Sequence, residues 1–179
     1  MKSLSHQLHR FLQILATTGF ILFTLITLKH LSNDRLFWVI GATSLASSAT
    51  ILFFTPDSES AKIKQLLSSY TIALGVTLVL RETLPSVIAL FSRIQYIDSF
   101  TLTMIMIFVA MFITLYLFSL LHITHPPATG IALAMAVHEP GYLIFVLLLL
   151  LAFMLAVIKT LFKKYLKDIV DWASWKTHK

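Results

Sequence analysis

The chain has 179 residues, 58% of them apolar and only 12% charged, with a mean hydropathy of +0.86, whereas soluble domains are about 45–50% apolar and about 25% charged. A chain this short cannot hide so much apolar surface within itself, which excludes a water-soluble fold and leaves lipid to cover the remainder. The formal charge of +6 does not point to nucleic acid, because the basic residues stand between apolar blocks or gather after Ile158, and there is no cysteine to form a disulfide, a thiolate nucleophile or a metal site.

A span needs roughly 20 apolar residues to cross about 30 Å of hydrocarbon, and a helix is the form in which one segment satisfies its own backbone there. The expected fold is therefore all-α: a polytopic transmembrane helix bundle, a single domain over residues 1–179, in contact with the lipid bilayer. The first apolar block, Phe11 to Leu28, closes at Lys29 and His30 and predicts a span over about 11–31. Lys2 and Arg10 precede it as in a signal peptide, but no small-x-small cleavage site follows before Lys29, so it reads as an uncleaved span. Asn33, Asp34 and Arg35 form a turn into a second span over about 36–54, whose first half is rich in small residues: Gly41, Ala42, Thr43, Ser44, Ala46, Ser47, Ser48 and Ala49. Such residues let helix backbones approach closely in a membrane.

A polar loop, Pro56 to Ser60, leads past Lys62 and Lys64 to a third span over about 65–81, and Thr83 to Ile97 reads as an amphipathic interfacial segment broken by Pro85. The fourth span is expected over about 100–137, broken near 125–127, with Ala128 to Val137 too short to cross alone and either a half-helix or the continuation of a broken helix. The last, about 142–162, passes into an interfacial amphipathic helix over about 159–175, carrying Lys159, Lys163, Lys164 and Lys167 with Trp172 and Trp175. Five crossings with basic residues counted by side predict a cytoplasmic carboxyl terminus, an outside amino terminus and a multi-pass protein of the bacterial inner membrane; Lys2 and Arg10 argue against that orientation.

The most specific feature is His125-Pro126-Pro127-Ala128-Thr129-Gly130 in an apolar setting. Two prolines remove two backbone donors, yet proline in a first turn starts a helix well. The amides that follow are expected to be unpaired and to converge with the helix dipole on an anion. The competing reading is a simple proline kink. Gly41-Ala42-Thr43-Ser44-Leu45-Ala46 echoes Pro127-Ala128-Thr129-Gly130-Ile131-Ala132 in its Ala-Thr-x-x-Ala, and two such half-helices facing one site are a transporter arrangement. His122, His125, His138 and Glu139 make a poor metal site, because Pro126 and Pro127 interrupt the helix that would present them. Arg81 and Glu82 read as boundary charges, and no base stands at a useful spacing from the hydroxyls of the second span, so no enzyme, metal or cofactor is expected.

His125-Pro126-Pro127-Ala128, Gly41-Ala42-Thr43, Pro56-Asp57-Ser58 and Lys64-Gln65 together resemble, in order, the motifs of the HPP family of small bacterial and plastid membrane proteins. The resemblance covers roughly Leu36 to Leu161. Ser68-Ser69-Tyr70 stands where the family usually shows Gly-Gly-His, Thr129-Gly130 replaces Gly-Ala, and Thr43 replaces a serine. Plastid and cyanobacterial members are associated with nitrite transport, so the resemblance implies a permease or channel for a small inorganic anion. The candidate substrate-binding residues are His125, Pro126, Pro127, Ala128, Thr129, Gly130, Gly41, Ala42, Thr43, Ser44, Lys64 and Tyr70. The alternative is a non-transporting membrane scaffold or assembly subunit, and five short spans favour a homo-oligomer in either case.

Overall fold

The computed structural model describes residues 2–31, 35–91, 99–137 and 141–169. Within them the chain forms α1 (Lys2–Leu31), α2 (Arg35–Phe54), a single 3-10 turn (Glu59–Ala61), α3 (Ile63–Phe91), α4 (Ser99–Leu120), α5 (Pro127–Val137) and α6 (Tyr142–Phe162). The stretches Phe11–Leu31, Ile63–Thr83, Thr103–Leu120 and Tyr142–Phe162 are each long and apolar enough to cross a membrane; the apolar part of α2, Trp38–Phe54, is slightly shorter and α5, Pro127–Val137, shorter still. The chain is a transmembrane helix bundle. Its buried residues form one core in which Leu45, Leu52 and Phe53 of α2, Leu66 and Tyr70 of α3, Ile131 and Ala132 of α5 and Leu148 and Leu155 of α6 meet. Phe108, Phe112 and Tyr116 of α4 instead form a stacked, exposed ladder suited to lipid.

Three contacts fix which helix ends lie together. Gln13 of α1 donates to the carbonyls of Phe53 at 2.9 Å and Lys167 at 2.8 Å, and Lys159 of α6 donates to that of Pro56 at 2.9 Å. The start of α1, the end of α2, the start of α3 and the end of α6 therefore share one end of the bundle. At the other, the Tyr142 hydroxyl donates to Glu82 at 2.6 Å, and the rise from Ile63 to Glu82 is about 30 Å at about 1.5 Å per residue, one hydrocarbon thickness.

Several expectations are corrected here. The amino-terminal half of α1 and the segment after α6 meet at one end rather than lying at opposite ones, because the short α5, about 16 Å of helix, reverses the chain once more between α4 and α6. Pro85 does not end α3, which runs on to Phe91; an interior proline removes one intrahelical bond and bends a helix without having to stop it. The stop near the prolines comes earlier than expected, at Leu120. His122 takes a left-handed conformation (φ 52°) and the Ile123 amide closes back on the Phe118 carbonyl at 2.8 Å, a left-handed helix cap. The chain then turns back, so that α5 packs against α2, α3 and α4 as a separate helix and does not continue α4. Finally, among the described residues the helix expected from 159 onward does not continue: α6 ends at Phe162, and the Ile169 amide is taken by the Phe54 carbonyl at 2.9 Å, one of the acceptors that the end of α2 leaves open. Trp172 and Trp175 lie outside the described residues.

Candidate functional site

The connection from α4 to α5 is held in place before it reaches the prolines. Gln65 of α3 donates through Nε2 to the His122 carbonyl at 3.2 Å, and its Oε1 accepts from the Thr124 amide at 3.0 Å. A side-chain amide is suited to this because it offers a donor and an acceptor to one strand of backbone. His125 follows, fully buried between α2, α3 and the 3-10 turn.

The partners of His125 fix its tautomer. Nδ1 lies 2.7 Å from the Ser60 carbonyl, which can only accept, so Nδ1 carries the proton and the neutral ring presents Nε2 as an acceptor. Nε2 lies 2.9 Å from Ser48 Oγ, and Ser48 Oγ lies 2.8 Å from the Tyr70 hydroxyl. With the ring neutral, the bonds run one way: Tyr70 donates to Ser48, Ser48 to His125, and His125 to Ser60. The Ser44 carbonyl, 3.1 Å from Ser48 Oγ, offers a second destination for the serine proton when Nε2 is itself protonated. Both states of the ring are thus fully hydrogen-bonded, which a buried polar group requires. Burial holds the His125 pKa below its usual 6.5, with the Ser60 carbonyl working in the opposite direction.

Beside this network, α5 starts against α2. Ser44 Oγ donates to the Pro127 carbonyl, and a Cβ placed on Gly130 would stand 3.3 Å from that of Ser44. Glycine at this point is what lets the two helices approach. Val39, Ile40, Thr43, Ser44 and Ser47 of α2, with Pro126, Pro127, Thr129 and Gly130, line a groove of about 300 Å³ that opens on the side of the bundle.

The helix start is not the nest of free amides that the sequence suggests. The Ala128 amide reaches the His125 carbonyl at 3.4 Å and the Thr129 amide the Pro126 carbonyl at 3.0 Å, so the connecting turn already supplies their acceptors. What faces the groove instead is hydroxyl. Thr43, Ser47 and Thr129 donate to the carbonyls of Val39, Thr43 and Pro126 at 2.7, 3.0 and 2.7 Å, and a hydroxyl proton can rotate from such an acceptor to a ligand.

Of the sequence candidates, Pro126, Pro127, Thr129, Gly130, Thr43 and Ser44 share the groove, while His125 and Tyr70 share the buried network behind it. Ala128 and Ala42 are buried in the core, Gly41 packs toward Leu28 and Leu148, and Lys64 is exposed at the start of α3. Ser48, Ser60, Gln65 and Lys159 were not among the candidates, although the first three complete the arrangement and Lys159 secures it through the Pro56 and Ala61 carbonyls. Ser48 sits one turn after Ser44, a spacing that the small-residue stripe displays; Ser60 acts through its backbone, and no side-chain pattern announces that. Among the described residues, no three His, Asp or Glu side chains gather as a metal site; His138 and Glu139 lie outside them.

No curated protein and no solved structure matches the chain. The family described as "HPP, transmembrane region" matches residues 3–169, nearly the whole length and all the groups just described, and the chain belongs to that family.

Proposed function

We propose that this protein is a permease or channel for a small inorganic anion, with nitrite the first candidate, in the bacterial inner membrane. The observation that supports this most is the hydroxyl-lined groove at the amino-terminal end of α5. The positive end of the α5 dipole points there, and the hydroxyls of Thr43, Ser47 and Thr129 supply donors on rotation. The amides of Ala128 and Thr129, being paired, do not take part, and His125 sets the turn from behind. A groove open to the side cannot enclose a path by itself, which favours a homo-oligomer in which a second copy closes it. Lys2, Arg10, Lys62, Lys64, Lys159, Lys163, Lys164 and Lys167 all belong to the same end of the bundle, so this end, with both termini, is assigned to the cytoplasm.

Purified protein in vesicles should take up nitrite faster than empty vesicles and in preference to nitrate or formate. Thr129→Val removes one donor at similar volume and should weaken apparent affinity by about 1–3 kcal/mol without loss of folded protein. Vesicles that take up none of the three anions would instead favour a scaffold, a reading supported by the exposed face of Val39, Thr43, Ser47 and Thr50 on α2, where small side chains suit close packing on another helix.

A further inference from the structure

A second cavity, of about 350 Å³, lies at the cytoplasm-assigned end between α1, the end of α2 and the segment after α6. It is lined by Leu12, Leu15 and Ala16 of α1, Phe53, Phe162, Tyr165 and Leu166, all apolar or aromatic, and by Gln13. This volume lies within the range of small-molecule sites, about 300–1,000 Å³, and it takes no part in the groove at α5.

Gln13 is the informative residue. It is only 3% exposed, and both protons of its Nε2 are committed, one to Phe53 and one to Lys167, which leaves Oε1 as a buried acceptor with no partner. A buried acceptor left unsatisfied costs about 1–3 kcal/mol, so the wall of the cavity carries a deficit here that the bonds to Phe53 and Lys167 do not relieve.

The rim supplies charge. Lys163, Lys164 and Lys167 are exposed on the same segment that contributes Tyr165 and Leu166, with Asp168 as the opposing charge. Their depth is that of lipid headgroups, because Gln13 is level with the last turn of α2, while Leu15 and Ala16 continue into the hydrocarbon. An occupant complementary to the apolar wall and the basic rim has an acyl chain and a phosphate.

We infer that this cavity is a binding site for one anionic phospholipid of the phosphatidylglycerol type, with an acyl chain against Leu12, Ala16 and Phe53 and its phosphate against Lys163, Lys164 and Lys167. The site ties the segment after α6 to α1 at the point where Gln13 already joins them.

The test is thermal unfolding of the full chain in detergent with added phosphatidylglycerol, phosphatidylcholine or inorganic phosphate, alongside native mass spectrometry. Phosphatidylglycerol should raise the melting temperature by about 5 °C at saturation and appear as one retained lipid, while phosphatidylcholine and phosphate should do neither. Ala16→Phe, which fills the cavity, should abolish the shift. Replacing Lys163, Lys164 and Lys167 together by glutamine, on an exposed segment where folding is not at stake, should reduce retention at least tenfold. Equal shifts with the two lipids, a full shift in Ala16→Phe, undiminished retention in the triple variant, or a shift with phosphate alone would each overturn the assignment.

Discussion

At the end of the bundle where α2 passes into α3, polar side chains are buried and bonded to backbone carbonyls: His125 to Ser60, Lys159 to Pro56 and Ala61, Gln13 to Phe53 and Lys167. At the opposite end, polar side chains meet one another in the open, with Glu82 accepting from Tyr142 and the Arg81 guanidinium 4.9 Å over the Tyr142 ring. The difference lies in what happens when a partner is lost. A carbonyl buried at the first end has no water to replace its donor, whereas a carboxylate at the second end is rehydrated at once. The first end is therefore fixed in one geometry, which a site built on connecting segments requires, and the second is held by the helices alone.

The sharpest test of that contrast is Lys159→Met. The substitution keeps the apolar stem but withdraws the ammonium from the Pro56 and Ala61 carbonyls, leaving two buried acceptors without their donor. A loss of about 2–4 kcal/mol is expected, seen as a lower melting temperature in detergent and a smaller yield of folded protein. Because Ser60, the partner of His125, lies between those two carbonyls, nitrite uptake per folded molecule should fall as well. A variant as stable as the parent would show that the loop between α2 and α3 keeps its shape without the lysine.

A smaller effect is expected at His125, and it carries a pH signature. The folded-state pKa lies below the unfolded value near 6.5 because burial disfavours the charged ring. As pH falls, the unfolded chain takes up its proton first, so the stability His125 contributes is complete above about pH 6.5 and is lost as the pH drops toward the folded value. The melting temperature of the parent should decline from pH 7 to 5. In His125→Gln the slope should be shallower, on a baseline lowered by about 1–2 kcal/mol for imperfect replacement of the two ring bonds. By the same shift, any proton-linked rise in transport acting through His125 belongs below pH 6.5, not between 8 and 6.5. Parallel pH profiles for the two proteins would remove His125 as the titrating group.

These residues also mark where the sequence could be read and where it could not. The spans were legible because about 20 apolar residues bounded by charge have few other fates, and the small residues of α2 announced close packing. Helix ends were less so. The reversal at His122 depends on a left-handed conformation that a histidine does not advertise, and it made α5 a separate helix, which brings α1 and the segment after α6 to the same end of the bundle. The pairing of the amides after Pro127 was likewise hidden, since it depends on how the 121–126 connection turns. Lys159 read as the first of a run of interfacial lysines, and only the packing of α6 against the loop after α2 distinguishes it from Lys163.

The smallest effect should come from Glu82→Gln. Glutamine keeps an acceptor oxygen in place of the one that takes the Tyr142 proton, so that bond can persist, and only the negative charge is lost. That charge is exposed, as is Tyr142, and exposed pairs are worth about 0–1 kcal/mol. Removing it should change the melting temperature by no more than about 2–4 °C in a chain of this size. The sign adds information: a carboxylate beside Arg81 attracts it, so a slight loss indicates that attraction, while a slight gain indicates that lifting a charge from the membrane boundary outweighs it. Nitrite uptake should be unchanged in either case, because neither Glu82 nor Tyr142 lines the groove at α5. If Glu82→Gln instead matched Lys159→Met in its loss of folded protein, exposure would have failed as the guide to which polar contacts fix this bundle, and the contrast between its two ends would fall.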